Sequence, residues 1–263
     1  MTEAPLYMLA GLIVGTLVGL TGVGGGSLMT PILMLLFGQS PSVAVGTDLM
    51  FAATTKLVAT ASFGVSRRVD WAIVGRLLLG SAPGAALVVL WLWHAQRVPG
   101  AADLIIERSL AVILALTAAA MLVQTPLRRL GLDFTARWIA RAERHTLVLT
   151  VLAGLILGVS VTLTSVGAGA LGVVMLLALY PLRLSADRLV ATDIAHALPI
   201  TLIAGAGHVY LGHVDLSVLG SLLLGSIPGV LIASRLAIRL PQRLTRTCIA
   251  VMLGALSGRM LFG

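Results

Sequence analysis

Apolar stretches of roughly 18 residues or more, free of charged side chains, recur along this chain. A bilayer offers no water to unsatisfied backbone groups, so stretches of that length form helices, in which every internal N–H finds a carbonyl. The composition agrees: 58% of the 263 residues are hydrophobic and 11% charged, with a mean hydropathy of +1.05. These values lie far outside the range of soluble domains. The expected class is an all-α polytopic membrane protein.

Two interruptions organise the chain. Thr21-Gly22-Val23-Gly24-Gly25-Gly26-Ser27, followed by Pro31, stands between two apolar runs, and Thr164-Ser165-Val166-Gly167-Ala168-Gly169-Ala170 takes the matching place in the second half. Such turns leave backbone amides uncovered. Each then opens a further helix, whose free N–H groups and positive dipole end suit an anion. The segments after the turns are short. Leu28 to Phe37 is ten residues, about 15 Å as a helix against a hydrocarbon core of about 30 Å. These pieces either continue a broken spanning helix or form re-entrant hairpins whose tips meet at mid-membrane.

Segments are expected at 6–21, 27–37, 43–64, 71–93 and 104–123, then at 146–163, 169–180, 187–207, 216–236 and 246–262. The chain accordingly divides into a first repeat over 1–123, an Arg-rich linker over 124–145 and a second repeat over 146–263. Thr47-Asp48 matches Thr192-Asp193, Asp70-Trp71 matches Asp215-Leu216, and Gly80-Ser81-Ala82-Pro83-Gly84 matches Gly225-Ser226-Ile227-Pro228-Gly229, all 145 residues apart. The Gly-rich turns match at an offset of 143, which places two extra residues near Tyr180 to Leu184.

Charge gives the expected direction of each half. One of the 18 basic residues is Lys56 and the rest are arginines, mostly in short loops or at helix ends. The net charge of +8 is therefore the positive-inside pattern of an inner membrane and not a nucleic-acid footprint. The loop with Arg67 and Arg68 is basic, whereas its counterpart around Gly212 has no Arg; the loop at 38–42 is uncharged, whereas its counterpart carries Arg183 and Arg188. Each basic loop faces a poor one, so the two five-segment repeats are expected to be inverted. The linker, with Arg128, Arg129, Arg137, Arg141 and Arg144, is expected in the cytoplasm and both termini outside. Leu130, Phe134, Trp138 and Ile139 give it an amphipathic face suited to the bilayer surface. Met1 to Pro5 lacks the basic start of a removable leader.

Val23, Gly24, Gly25, Gly26 and Ser27 are expected to line one side of an anion site and Ser165, Val166, Gly167, Ala168 and Gly169 the other, with backbone N–H donors and the hydroxyls of Ser27, Thr21, Thr164 and Ser165. Close helix packing is the alternative role for these small residues. Lys56, at depth in the third segment, either counters an anion's charge, carries a proton, snorkels, or pairs with Asp48. Asp48 and Asp193 each follow a Thr near a helix start, where helix capping competes with a role in coupling to a proton or cation. His196, one turn after Asp193, is a further candidate for proton handling or a packed core residue. His208 and His213 are expected at the outer interface. Pro83-Gly84 and Pro228-Gly229 fit either kinks or hinges. No metal set, cofactor motif or nucleotide-binding loop is expected, and the lone Cys248 reads as a small buried hydrophobe.

The Gly22-to-Ser27 turn leading to Pro31, the Thr47-Asp48 pair and the Pro83-Gly84 pair resemble those of the TauE/SafE family, the sulfite-exporter or toluene-sulfonate-uptake-permease family. The resemblance extends over essentially the whole chain and implies a bacterial inner-membrane carrier for sulfite, a sulfonate such as sulfoacetate, or a related organic anion. The second turn departs from the fuller glycine pattern at Ala168 and Ala170, so unequal half-sites are expected. An anion channel and an intramembrane enzyme are the rival classes. Against the enzyme, the chain has no Gly-x-Ser-x-Gly turn and no His-Glu-x-x-His.

Overall fold

A computed structural model of the chain describes residues 3–21, 26–63, 68–142, 146–180, 183–236 and 242–262. Ten helices and no strands are found among them: α1 Ala4–Thr21, α2 Gly26–Leu35, α3 Pro41–Phe63, α4 Trp71–Ala95, α5 Ala101–Ala142, α6 Thr146–Thr164, α7 Ala170–Leu179, α8 Ala186–Tyr210, α9 Leu216–Leu236 and α10 Gln242–Phe262. Five contain stretches long and apolar enough to cross a membrane: Trp71–Ala95, Ala101–Leu122, Thr146–Thr164, Arg188–Tyr210 and Leu216–Ala233.

The expected segments correspond to these helices, with one change. Helix α5 does not stop at 123 but continues for 42 residues to Ala142, about 63 Å of helix. The basic linker therefore prolongs the fifth helix. The switch from apolar to Arg-rich sequence beyond Leu122 is a change of surroundings and not a helix stop, because Leu, Ala and Arg are all good helix formers.

The two halves interlock. Helix α1 packs along α9 and α6 along α4, while α3 crosses α8 and α5 lies against α10; α3 also meets α9, and α4 meets α8. Exchanging every helix with the one five places along reproduces this set of pairings.

Matched glycines make the two tightest crossings. A Cβ on Gly11 or Gly15 of α1 would overlap the backbone of Leu222 or Ser226 in α9, and one on Gly154 or Gly158 of α6 would overlap Leu77 or Ser81 in α4. The glycines of the partner helices close the contact from the other side: Gly80 and Gly84 meet Val151 and Leu155, and Gly225 and Gly229 meet Met8 and Leu12. Small residues at this spacing let backbones approach until their surfaces interdigitate. The glycines of the two Pro-Gly pairs, Gly84 and Gly229, thus have a packing role, and α4 and α9 run on through Pro83 and Pro228.

Each half also folds its short helix back beside its first helix. The Tyr7 ring of α1 stacks on Phe37, just beyond α2, at 4.2 Å. The matching residues are Thr150 of α6 and Tyr180, just beyond α7, whose hydroxyls lie 2.7 Å apart. The outer surface carries many large apolar side chains: Leu79 and Leu224, equivalent positions of α4 and α9, are each 66% exposed. Trp71 lies at one end of α4 and Trp91 and Trp93 at the other, all exposed, as in an interfacial aromatic belt. Polar side chains are instead concentrated inside.

Gly80→Leu should disrupt the α4–α6 crossing and lower the thermal unfolding temperature of purified protein, corresponding to a loss of about 3 kcal/mol or more. Gly220→Ala, in open space on α9, should leave it unchanged within about 0.5 kcal/mol.

Candidate functional site

Helices α3 and α8 cross inside the bundle and carry Asp48, Lys56, Asp193 and His196, all buried. Asp48 and Asp193 do not cap their own helices, contrary to the capping alternative. Helix α3 begins at Pro41 and α8 at Ala186, so each acid lies seven residues inside. Capping falls instead to the other matched pair. Asp70 accepts the Ile73 amide at the start of α4 (3.3 Å), and Asp215 accepts the Ser217 and Val218 amides at the start of α9 (2.9 and 3.0 Å). The threonines of the Thr-Asp pairs hold these caps across the halves: Thr47 Oγ1 accepts the Asp215 amide at 3.0 Å and Thr192 Oγ1 the Asp70 amide at 3.1 Å.

The two internal acids address the short helices. Asp48 Oδ2 accepts both the amide (3.1 Å) and the hydroxyl (2.6 Å) of Thr30 in α2. Its Oδ1 has no partner among the described residues and neighbours Ser165, whose Oγ is also unpartnered. Asp193 lies at the start of α7, beside the Gly169 amide and against Gly172, where a Cβ would collide with the carboxylate. Its Oδ1 is likewise unpartnered among the described residues. A carboxylate is favoured at both places because it faces the positive end of a helix.

Between them lies Lys56, 4% exposed. Both carboxylates are its anionic neighbours. His196 completes the group: Nε2 lies 2.9 Å from Ser81 Oγ of α4, Nδ1 is unpartnered among the described residues, and the ring lies within the field of Lys56. The structure thus brings Lys56, Asp48, Asp193, His196 and Ser165 to one buried region.

The second Gly-rich turn is visible in full. Helix α6 stops at Thr164, Ser165 takes the left-handed conformation (φ 59°), and Gly167 and Gly169 both have φ 120°, where an L side chain is strained. The amides of Ser165 and Val166 are already committed, to the Val161 carbonyl and to Thr164 Oγ1 respectively. Those two amides therefore already have partners in this structure. The Val166 side chain packs with Ala170 and Leu28 in the core, and Ala168 packs beside Val161 and Ile200. Of the first turn, Gly26 and Ser27 open α2, while Val23, Gly24 and Gly25 lie outside the described residues.

Two further polar groups lie toward the helix ends. Arg183 donates from two nitrogens to the Asp70 carboxylate (3.0 and 3.2 Å), with Arg188 at 3.7 Å. At the other end, His208 is fully buried against the Thr162 carbonyl (3.0 Å) and not at an interface. His213 lies 2.7 Å from Gln96 Nε2. Burial pushes the His213 imidazole below its usual pKa, and Asp103 pulls it back. Sequence reasoning missed the pairings Thr30–Asp48, Ser81–His196 and Arg183–Asp70, each made between separate helices or loops.

An apolar exterior, membrane-length helices and buried charge at two helix breaks define a multi-pass membrane protein with an internal polar site. The chain belongs to the sulfite exporter TauE/SafE family, whose description matches residues 7–260, and it is a membrane transporter. It is 40% identical over 239 residues to the probable membrane transporter protein YjnA of Bacillus subtilis (strain 168), covering 90% of this chain and 91% of that protein. A probable membrane transporter protein YunE of the same organism is 37% identical over 89 residues, covering 32% of this chain and 33% of that protein. No solved structure matches the chain.

Thr30→Val removes one of two donors to a buried carboxylate and should destabilise the purified protein by about 2 kcal/mol. Adding Asp48→Asn should then cost less than it does alone, because the two share one interaction. A thermal or denaturant unfolding cycle over the four proteins checks both.

Proposed function

We propose that this chain is a secondary carrier that moves a small sulfur-containing anion, such as sulfite or a sulfonate like sulfoacetate, across the bacterial inner membrane by alternating access. The observation that carries the reading is a buried lysine, Lys56, placed between the breaks that open α2 and α7, in a member of a sulfite-exporter family. A cation at depth without a solvated route out is retained where it faces a partner or a cavity. Two half-helix N-termini add backbone donors and about half a positive charge each. The binding set would comprise the amides at Gly26 and Ser27 with Val23, Gly24 and Gly25, the turn at Gly167, Ala168 and Gly169, the Ser165 hydroxyl and the Lys56 ammonium, with Asp48, Asp193 and His196 serving coupling.

Alternating access between inverted halves is supported by pairings that survive exchange of the halves and by the two returns that set Phe37 on Tyr7 and Tyr180 on Thr150. Those returns suit re-entrant hairpins better than broken spanning helices. The Arg-rich end of α5 would face the cytoplasm and both termini the outside. The same orientation puts the Arg183–Asp70 bridge on the cytoplasmic side and the His208–His213–Gln96 group on the outer side, where each closes one approach to the site.

Purified protein should be stabilised against heat by one or more of sulfite, sulfoacetate and taurine, but not by acetate at the same concentration. Lys56→Ala should abolish that stabilisation and Gly25→Leu should weaken it by about tenfold in affinity or more. A ligand whose effect survives both substitutions would move the site elsewhere.

A further inference from the structure

We propose that the Asp193 carboxylate is a tethered competitor of the transported anion. It holds the start of α7 and Lys56 until it takes up a proton, so that one proton crosses with each monoanion. The proposal rests on the carrier reading above and adds what drives it.

The places an anion needs are those Asp193 already occupies. Its carboxylate lies by the Gly169 amide at the α7 N-terminus, pressed against Gly172, with Lys56 as the buried cationic neighbour. Asp48, the equivalent acid, is tied differently. Its Oδ2 accepts the amide and the hydroxyl of Thr30, whose counterpart in the second half is Val173, which has no hydroxyl to offer. Asp193 thus lacks the local donors that hold Asp48, and its charge is answered by Lys56.

Charge balance then fixes what accompanies the anion. Lys56 with Asp193 is a pair of zero net charge. Adding a monoanion would leave one uncompensated negative charge in a buried region that already holds Asp48, a costly arrangement at low dielectric. A proton taken from the side of entry onto the Asp193 carboxylate cancels it. The anion then faces the Lys56 ammonium and the α7 amides, and the loaded and unloaded sites carry the same net charge. On the far side the anion leaves, the proton leaves Asp193, and the original pair re-forms. The proton is favoured over a metal cation because one carboxyl oxygen holds it, whereas a metal ion needs several ligands and no cluster of three or more His, Cys, Asp or Glu is found among the described residues.

Among the described residues no other titratable group takes that place. Helix α3 presents Lys56 and Asp48 to α8; α6 and α7 carry no titratable side chain; α4 offers Ser81 to His196 on α8 itself, while its Arg76 is directed to the Tyr180 hydroxyl at 3.5 Å. His196 follows Asp193 by one turn, with its Nε2 engaged by Ser81 at 2.9 Å.

The test uses the full chain in proteoliposomes with a trapped pH dye, and labelled methanesulfonate, a monoanion at every pH used. Acidifying the outside should raise accumulation by roughly tenfold per pH unit of gradient, since one proton per anion makes each unit a factor of ten at equilibrium. The lumen should acidify as methanesulfonate enters, and an imposed potassium-diffusion potential should change nothing. Asp193→Asn should lose accumulation and lumen acidification yet keep exchange of external for internal methanesulfonate, now independent of pH. Asp193→Glu should keep the coupling, and Lys56→Ala should lose exchange as well. The proposal is overturned if Asp193→Asn still accumulates methanesulfonate on a pH gradient, if uptake follows a sodium gradient at constant pH, or if membrane potential drives it. Net uptake by the wild type without acidification of the lumen would overturn the coupling alone. Failure of the wild type to exchange methanesulfonate at any pH would overturn the sulfonate-carrier reading and the coupling with it.

Discussion

Two helices that begin inside an apolar body set the terms for the rest of this structure. The first turn of any helix has amides without intrahelical partners, and in the interior of a membrane protein water does not supply them freely. Helices α2 and α7 begin in that position. Each receives an aspartate from the helix that follows it, Asp48 for α2 and Asp193 for α7. Two buried carboxylates then demand compensation. Hydrogen bonds from Thr30 answer the first and Lys56 answers the second. The polar interior follows from the decision to break the helices.

The same constraint explains the way the halves are joined. A half alone would leave the glycine faces of α1 and α4 open, because their partners, α9 and α6, belong to the other half. The Thr-Asp pairs carry this interlocking to the site. Thr47 holds the start of α9 while the next residue, Asp48, addresses α2; Thr192 holds the start of α4 while Asp193 addresses α7. The clamp on a loop near the membrane surface and the acid in the interior are consecutive residues on one rigid helix. A displacement of the helix at the acid therefore displaces the clamp, and through Asp70 it reaches the Arg183 bridge.

Much of this was legible in the sequence where the signal is periodic or repeated. Helix positions follow from apolar run length, and the matched glycines and Thr-Asp pairs follow from the repeat. Lys56 stood out because a lone lysine in an apolar run is chemically conspicuous. What escaped is non-local. Asp48, eight residues from Lys56, is the natural partner on one helix, but Asp193 from the other half is a neighbour of the same lysine. Threonine beside aspartate reads as a cap from local spacing, yet the helices begin a turn and more earlier, at Pro41 and Ala186, because nothing near residue 47 breaks a helix. The linker was separated from the fifth helix by polarity, which reports the surroundings of a helix and not its length.

The symmetry of the packing and the asymmetry of the site have one physical origin. Backbone-to-backbone crossings depend on the absence of side chains, so both copies must keep their glycines, and Gly11, Gly15, Gly80 and Gly84 are matched by Gly154, Gly158, Gly225 and Gly229. Side chains that point into the interior face a different condition, since charge must balance over the whole site and not within each half. Lys56 is matched by Thr201, Thr30 by Val173 and His196 by Phe51. Ser226, the counterpart of Ser81, accordingly has no histidine to meet, and its Oγ is unpartnered among the described residues. A second lysine at position 201 would leave the paired charges with no carboxylate to spare. On the proposed carrier reading, a single cation would be shared between an internal acid and an incoming anion, only one of the two could hold it in the charged form, and that exclusivity is what coupling requires.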